Sequence, residues 1–261
     1  KSAQQLFHRL AFAAELGLRR GDPGAESIGK AAMKYPSEEG PFNLTMNIGA
    51  AHGGSGKDQR AWALCDAPVT LRALSRMGWA EEPSLKTAIQ YLAGLRIERG
   101  WPCAVSKSLG GFRGPGKKSD PCPYATLVML ELLLEPTSYR DGPAIAAAAD
   151  CLLGLWERSR EEHPYIFYMG DDFRKLKAPL LWYDLLHVLE ALSRVEGIQG
   201  DKRLGEMLDI LQAKADARLL FTPESVYMAW KGQDFGQKKE ASRYLSALAL
   251  GILARTGRIV L

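Results

Sequence analysis

Apolar residues recur along this chain at positions i, i+3, i+4 and i+7, which is the spacing of an amphipathic helix. The segment DAPVTLRALSRMG, which starts at Asp66, aligns with DLLHVLEALSRVEG, which starts at Asp184, and both contain L-x-A-L-S-R. CPYATLVMLELLL, from Cys122, fits the same frame, and LSALALGILARTG, from Leu245, is a weaker fourth copy. The pattern therefore predicts four related helices of one type.

Helices of a second type are predicted between these copies. They begin at Pro83, Pro143 and Arg203, so that successive starts are 60 residues apart. Almost nothing in the chain shows the period-2 alternation that is typical of strands. The predicted fold class is therefore all-α, built from repeated helix pairs.

Each predicted repeat is entered through a loop rich in glycine and lysine and is followed by an aromatic residue: Phe42, Trp101 or Phe167. Tandem helix pairs form either an open solenoid or a closed ring. Helices of the first type are apolar nearly all round, which is typical of burial on both sides and favours the ring.

The prediction is thus a single α/α-toroid domain with inner helices around a central cavity. It contains about four to five tandem helix-pair repeats, at approximately residues 1–60, 61–116, 117–176 and 177–237, with a final half repeat at 238–261.

Composition excludes several classes of protein. The 261 residues are 46% hydrophobic, which allows a sizeable core, and the net charge is only +4. Because the basic residues are scattered, we expect no nucleic-acid partner. Four cysteines without C-x-x-C spacing indicate thiols in a reducing cytosol. No apolar stretch reaches the roughly 18 residues of a membrane span, and no signal-peptide core is evident, so the expected location is the cytoplasm.

The helix pairs resemble those of the terpenoid cyclase and protein prenyltransferase superfamily, whose members are α/α toroids. The resemblance is carried by RIERGWPC, preceded by AIQYLAGL, and by the inner helices that start CDAPVTL and DPCPYATL. It extends from about Gly40 to Leu253. It implies a hydrophobic, isoprenoid-type ligand in the central cavity, polar groups at the mouth of the cavity, and prenyl transfer or cyclisation as the chemistry.

Zinc is the cofactor that this resemblance implies. Protein prenyltransferases hold a catalytic zinc with an Asp-x-Cys pair at the start of one inner helix and a histidine at the equivalent point of the next. Asp120 and Cys122 match that pair, while Asp184 aligns with Cys122 and His187 lies one turn further along. These four residues are the predicted metal ligands, since a carboxylate is also a zinc ligand. The Asp-x-Asp-Asp acid of squalene-hopene cyclases is absent from the sequence.

Four residues at or near the starts of inner helices are predicted to be catalytic: Asp66, Asp120, Asp184 and Tyr244. In a toroid the inner helices are parallel, so their first residues meet at one mouth of the cavity. The alternative for each aspartate is helix capping, because a carboxylate there accepts unpaired N–H groups. The alternative for Cys122 is a small buried apolar side chain.

Two further groups are predicted to bind the ligand. Arg113, Lys117 and Lys118, in a glycine-rich segment before a helix, would neutralise a diphosphate. Aromatic faces stabilise carbocations, and the aromatic residues predicted to line the cavity are Trp62, Tyr124, Trp182 and Tyr183. The alternatives are loop formation for the glycine-rich segment and packing of the ring for the aromatic residues.

Three functions are compatible with the sequence. The favoured one is a protein of the cyclase and prenyltransferase type that holds a hydrophobic small molecule and, if it is an enzyme, acts as a transferase or cyclase. The second is a non-catalytic toroid that presents loops to a partner protein of unknown identity. The third is an α/α-barrel carbohydrate-active enzyme with paired carboxylates such as Asp66 and Asp184.

Overall fold

A computed structural model describes residues 3–109, 112, 119–139, 142–162 and 167–260. Over these residues the chain is mostly helical, as the all-α prediction requires. The α-helices are α1 (Leu6–Glu15), α2 (Ala25–Ala32), α3 (Ala67–Leu74), α4 (Pro83–Gly94), α5 (Pro123–Leu133), α6 (Pro143–Glu157), α7 (Asp171–Arg174), α8 (Leu185–Leu192), α9 (Lys202–Gln212) and α10 (Arg243–Arg255).

The predicted inner helices correspond to α3, α5, α8 and α10. The residues that immediately precede them are Asp66, Cys122, Asp184 and Ser242. The helices of the second type are α4, α6 and α9, and each begins within one residue of its predicted start. The alternation of two helix types along the chain is therefore as predicted.

Burial distinguishes three helices of the first type from two of the second, while α10 has exposed residues and residues 151–156 of α6 are all buried. Every residue of α3, α5 and α8 is buried. In α4 the buried residues lie on one face: Leu85, Ala88, Ile89 and Leu92. The helix α9 likewise buries one face, because a helix at the surface needs an apolar stripe on one side only. The apolar pattern along α3, α5 and α8 thus reflects enclosure on all sides.

A buried ion pair joins α3 to α5. The Nη1 atom of Arg72 lies 2.7 Å from Oε1 of Glu131, and the two side chains are 11% and 2% exposed. The Nε atom of Arg72 also lies 3.4 Å from Oε1 of Glu135. Since removing an unpaired ion from water is very costly, the apolar interface between these helices depends on the pairing.

A hydrogen-bonded clamp fastens the start of α5 to the segment after α4. The N–H of Cys122 donates to the carbonyl of Trp101 at 2.7 Å, and the N–H of Trp101 donates to Oγ1 of Thr126 at 3.0 Å. The Trp101 side chain is fully buried, and its Nε1 donates to the carbonyl of Leu92 in α4 at 2.9 Å. One aromatic residue therefore ties the second helix of a pair to the inner helix that follows.

The same clamp recurs at the start of α10. The N–H of Ser242 donates to the carbonyl of Phe221 at 3.0 Å, and the N–H of Phe221 donates to Oγ of Ser246 at 2.8 Å. As in the first clamp, the hydroxyl group lies four residues after the start position. The internal repeat found in the sequence is thus repeated in backbone hydrogen bonding.

A small antiparallel sheet is a regular element that the sequence pattern did not predict. Strand β1 (Leu44–Asn47) pairs with β2 (Asp58–Ala61), and the loop GGSGKD leads into β2. Asn47 Nδ2 donates to Oδ1 of Asp58 at 3.0 Å and closes the hairpin. Each strand has only four residues, most of them exposed or half-buried, so no apolar alternation marks them.

The chain divides into two compact units. The N-terminal unit is formed mainly by Gln5–Cys151 and holds α1 to α5 and the sheet. The C-terminal unit is formed mainly by Phe167–Leu261, and the last turns of α6, from Leu152, belong to it. The single toroid domain with its central cavity stays a prediction.

Candidate functional site

Asp184 is a fully buried carboxyl group at the start of α8. Its Oδ1 accepts a hydrogen bond from the backbone N–H of His187 at 3.0 Å, as a capping aspartate does. Its Oδ2 is also buried and accepts no hydrogen bond from any described residue. Helix capping therefore accounts for one oxygen of this carboxyl group and leaves the other available for a proton or a ligand.

Burial raises the pKa of Asp184 to about 6, because the charged form is poorly solvated in the interior. The charges of His187 and Lys177 oppose this rise without cancelling it. General acid–base catalysis uses groups whose pKa lies near the working pH. Asp184 can therefore hold or release a proton at a pH where an ordinary aspartate is already ionised.

Lys177 supplies a buried cation to the same cluster. Its side chain is 8% exposed, and Nζ lies 3.2 Å from Oδ2 of Asp172, an α7 residue whose own side chain is 75% exposed. The charge of Lys177 also acts on Asp184. A positive charge at this position stabilises the carboxylate that forms when Asp184 gives up its proton.

A junction between two chain segments brings a further residue to the cluster. The N–H groups of Glu224 and Ser225 donate to the carbonyl of Leu176 at 2.8 and 3.2 Å, and the N–H of Leu176 donates to Oε2 of Glu224 at 2.8 Å. Lys214 Nζ holds the same carboxylate at 2.7 Å. Glu224 and Ser225 are therefore bonded to Leu176, and the segment that follows Glu224 lies close to Lys177.

Tyr227 lies on that fixed segment. Its hydroxyl group is buried and makes no hydrogen bond with any described residue. Burial, followed by the negative charges of Asp184 and Asp172, raises the pKa of Tyr227 above its usual value. The cluster therefore combines a carboxyl group, a buried ammonium group and a phenol that keeps its proton.

Aromatic rings pack around the residues that precede α8. The ring centre of Phe167 lies 5.5 Å from that of Trp182 and 5.4 Å from that of Tyr183, and Phe173 lies 5.4 Å from Tyr183. His187 Nδ1 lies 2.7 Å from the carbonyl of Trp182, and since a carbonyl only accepts, this nitrogen carries the hydrogen. The acidic cluster is thus bordered by aromatic surface.

The Asp184→Asn substitution is expected to change how stability depends on pH. In the wild type, the folded state keeps a proton that the unfolded state has lost between about pH 4 and pH 6, so stability falls as pH rises through this window. The rise of this pKa to about 6 corresponds to about 3 kcal/mol of stability lost across the window. Asparagine still accepts from the His187 N–H but has no proton to lose. Urea unfolding followed by circular dichroism gives the free energy of unfolding at each pH. Between pH 4 and pH 6 this free energy should fall more steeply with pH for the wild type than for the variant.

Asp201→Asn is the control for this measurement. Asp201 caps α9, and hydrogen bonds from Arg203 lower the pKa of its carboxyl group, so its contribution to stability is lost as pH falls. The Asp201→Asn substitution therefore removes a rise of stability with pH, whereas Asp184→Asn removes a fall. Parallel curves for the wild type and Asp184→Asn would contradict the raised pKa.

In the N-terminal unit, the predicted residues near α3 have structural partners. Asp66 is buried, and its Oδ1 accepts from the N–H of Ala63 at 3.0 Å, so it braces the turn before the helix. Trp62 Nε1 donates to Oε2 of Glu39 at 2.9 Å, and its ring packs edge-on against Tyr91. The contacts of Trp62 agree with its packing alternative, whereas the Asp66 side chain makes no capping bond in α3 and braces the preceding turn instead.

Asp120 and Cys122 lie directly before α5, and Cys122 is the N-cap residue. Burial raises the pKa of the Cys122 thiol to about 12, so the thiol keeps its proton at neutral pH. Asp120 is half-buried and accepts from Ser119 Oγ at 3.4 Å, while Tyr124 is buried in the first turn of α5. The predicted diphosphate ligands lie outside the described residues: Arg113, Lys117 and Lys118.

Zinc requires several ligands that converge and, for cysteine, a thiolate. Among the described residues, no group of three or more His, Cys, Asp or Glu side chains is placed to hold a metal ion. Asp120 and Cys122 belong to the N-terminal unit, whereas Asp184 and His187 belong to the C-terminal unit. The described residues therefore give no support for zinc, and both the metal site and the shared mouth stay predictions.

The start of the fourth inner helix is occupied by Ser242. Its Oγ accepts from the N–H of Leu245 at 3.1 Å and caps α10. Tyr244, predicted to be catalytic, lies two residues later, with its ring 4.9 Å from that of Phe235 and its N–H bonded to Oδ2 of Asp234 at 3.1 Å. The fourth copy of the repeat therefore has a serine at the N-cap position, where the other copies have Asp66, Cys122 and Asp184.

Sequence reasoning identified Asp184, His187, Trp182 and Tyr183 but missed Lys177, Tyr227 and Glu224, which complete the C-terminal cluster. A signal for Lys177 was present, because it is a lone charge in the apolar stretch LKAPLLWY. Tyr227 carried no such signal, since a junction between distant segments brings it to the cluster.

Comparison with known proteins does not assign the chain to a family. No protein-family model matches the sequence, and no curated protein matches it. Within the described part of the chain, none of the helices combines the length and the apolar character needed to cross a membrane. The functional interpretation therefore depends on the residues of the site.

Proposed function

We propose that this protein binds a hydrophobic, isoprenoid-type molecule and carries out acid–base chemistry on it, with Asp184 as the group that carries the proton. The observation that supports this most directly is the state of Asp184, which is fully buried, has a pKa of about 6 and has one oxygen without a hydrogen bond. Burying a carboxyl group in this way costs free energy. Such costs are typical of functional sites.

Each member of the cluster has a role in this proposal. Protonated Asp184 donates from Oδ2, so that its O–H bond breaks as a bond to hydrogen forms on the substrate. The charge of Lys177 then stabilises the resulting carboxylate. The buried hydroxyl of Tyr227 keeps its proton and orients the substrate by donating a hydrogen bond. The rings of Trp182 and Tyr183 face positive charge that develops on the substrate.

The hydrophobic ligand and the α/α toroid are the parts of the proposal that come from the resemblance to cyclases and prenyltransferases. Three features support them: the repeated helix pairs, the burial of α3, α5 and α8 on all sides, and the aromatic rings beside the acid. Prenyl transfer and cyclisation both fit a site of this kind. The scaffold and carbohydrate-enzyme alternatives stay untested predictions.

A binding and turnover experiment tests the proposal. The wild-type protein is titrated with a fifteen-carbon prenyl alcohol and with its diphosphate, tryptophan fluorescence reports binding, and mass spectrometry detects products. We expect binding by the wild type, and we expect Asp184→Asn to keep the binding while it lowers turnover about 10²–10⁴-fold, as loss of a general acid does.

Asp201→Asn is again the matched control, because it removes a capping carboxylate elsewhere in the same unit. Its turnover should equal that of the wild type. Failure of both prenyl compounds to bind would refute the ligand class and favour the scaffold. Equal turnover by Asp184→Asn and the wild type would refute the role of Asp184.

A further inference from the structure

All four cysteines of the chain lie in the N-terminal unit, and none of them is in a disulfide. They differ in accessibility, because Cys122 and Cys151 are buried, whereas Cys65 and Cys103 are partly exposed. An oxidant in solution therefore reaches the second pair more readily than the first.

The backbone brings Cys65 and Cys103 together. Residues 62–64 run antiparallel to residues 104–106: Leu64 N–H donates to the carbonyl of Ala104, and Ser106 N–H donates to the carbonyl of Trp62, both at 2.9 Å. Ala63 and Val105 form the bridge between these two bonds. Cys65 and Cys103 are each one residue beyond the bonded pair Leu64 and Ala104, with Cys65 in the turn from Ala63 to Asp66, so the two cysteines lie near each other.

Neighbouring residues of an antiparallel pair have Cα atoms about 4.5–5.5 Å apart. A disulfide needs a Cα separation of about 4.4–6.8 Å. Leu64 and Ala104 are neighbours of this kind, and each cysteine is one residue away from that pair, where the turn that Asp66 braces leads into α3. The paired segments therefore bring the two cysteines into the same part of the N-terminal unit.

A second observation places both sulfur atoms in one region. Cys122 is held near Cys103 because its N–H donates to the carbonyl of Trp101 at 2.7 Å. Besides burial, the neighbouring Cys103 and Cys65 both raise the pKa of the Cys122 thiol, so all three thiols lie close together. Because Cys122 keeps its proton, it is a poor nucleophile in thiol exchange.

We propose that Cys65 and Cys103 are an oxidation site, and that they form a disulfide when the protein meets a disulfide oxidant such as oxidised glutathione. One of the two thiolates attacks the oxidant, forms a mixed disulfide and releases one glutathione thiol. The second cysteine attacks the protein sulfur of that mixed disulfide and releases the other. The two cysteines lose two electrons and two protons in total, and both reach the glutathione.

Such a cross-link would join the residue before the N-cap of α3 to the segment that carries the Trp101 clamp. The first of these segments leads into one inner helix, and the second is bonded to Thr126 in the next. Oxidation would therefore tie together the starts of two neighbouring helix pairs within the N-terminal unit.

Thiol counting in denaturant, before and after equilibration with excess oxidised glutathione, tests the proposal. We expect the wild type to fall from four titratable thiols to two. Peptide mass spectrometry of the unreduced protein should recover residues 65 and 103 in one cross-linked fragment. Any of three results would overturn the proposal: four thiols that remain after the treatment, glutathione adducts without a cross-link, or a disulfide that uses Cys122 or Cys151.

Serine variants supply the controls. Cys65→Ser and Cys103→Ser should each keep three thiols through the treatment, apart from glutathione adducts, which mass analysis of the unreduced protein identifies. Cys122→Ser and Cys151→Ser should fall from three thiols to one. The Cys122→Ser variant is expected to fold, because Ser242 occupies the equivalent position at the start of α10. Loss of cross-linking in either of these two controls would also overturn the proposal.

Discussion

Replacing Trp101 with alanine is expected to lower the free energy of unfolding by about 3–5 kcal/mol, as truncation of a fully buried large aromatic residue does. The indole is completely buried and donates to the carbonyl of Leu92 in α4. Its removal leaves a cavity, takes one donor from the Leu92 carbonyl, which keeps the Leu95 N–H, and weakens the connection between α4 and α5. Urea unfolding followed by circular dichroism measures the change.

Trp101→Phe separates the two causes of this loss. Phenylalanine keeps most of the packed volume but removes the Nε1 hydrogen bond to Leu92 and a small part of the ring, so a loss of about 1–2 kcal/mol in the free energy of unfolding is expected. If Trp101→Ala unfolded at the wild-type urea concentration, the aromatic residue after α4 would not be a structural staple.

The Arg72→Met substitution is expected to destabilise the protein by about 3–5 kcal/mol, because it leaves the Glu131 carboxylate buried without its nearby cation. The double variant with Glu131→Met as well should recover most of the loss, since two apolar side chains suit the α3–α5 interface. Denaturant unfolding of the wild type, both single variants and the double variant gives the coupling free energy between positions 72 and 131.

Arg258→Met is the matched control for this pair. Arg258 Nη1 lies 2.7 Å from Oδ1 of Asp209, the same separation as in the buried pair, but these side chains are 33% and 67% exposed. An exposed pair contributes only about 0–1 kcal/mol. If Arg72→Met and Arg258→Met lowered the free energy of unfolding equally, burial would not determine how much an ion pair contributes to stability.

The sequence alone predicted the helices and their order well, because their apolar spacing is repeated at an interval of 60 residues. The distinction between fully buried and one-sided helices also came from that spacing, as α5 and α9 illustrate. The hairpin was missed because its strands are short and largely exposed. Local patterns of three to eight residues carry no signal when neither face is fully buried.

The site was predicted only in part, for a different reason. Asp184 was identified because its position at the start of an inner helix is visible in the internal alignment. Its raised pKa depends on burial, which the alignment does not describe. Tyr227 reaches the cluster through the junction of Leu176 with Glu224, a contact between residues 48 positions apart in the chain. Such contacts depend on tertiary packing, and no local motif encodes them.

The clamp at the starts of α5 and α10 distinguishes the copies of the repeated helix pair from one another. The hydroxyl group of the clamp is supplied by Thr126 in one copy and by Ser246 in another, but the equivalent residue of α8 is Val188, which has no hydroxyl. The copy that begins with Asp184 therefore does not fasten its neighbour in this way. The start of α8, which lacks the clamp hydroxyl, is instead occupied by the fully buried carboxyl group whose pKa is raised.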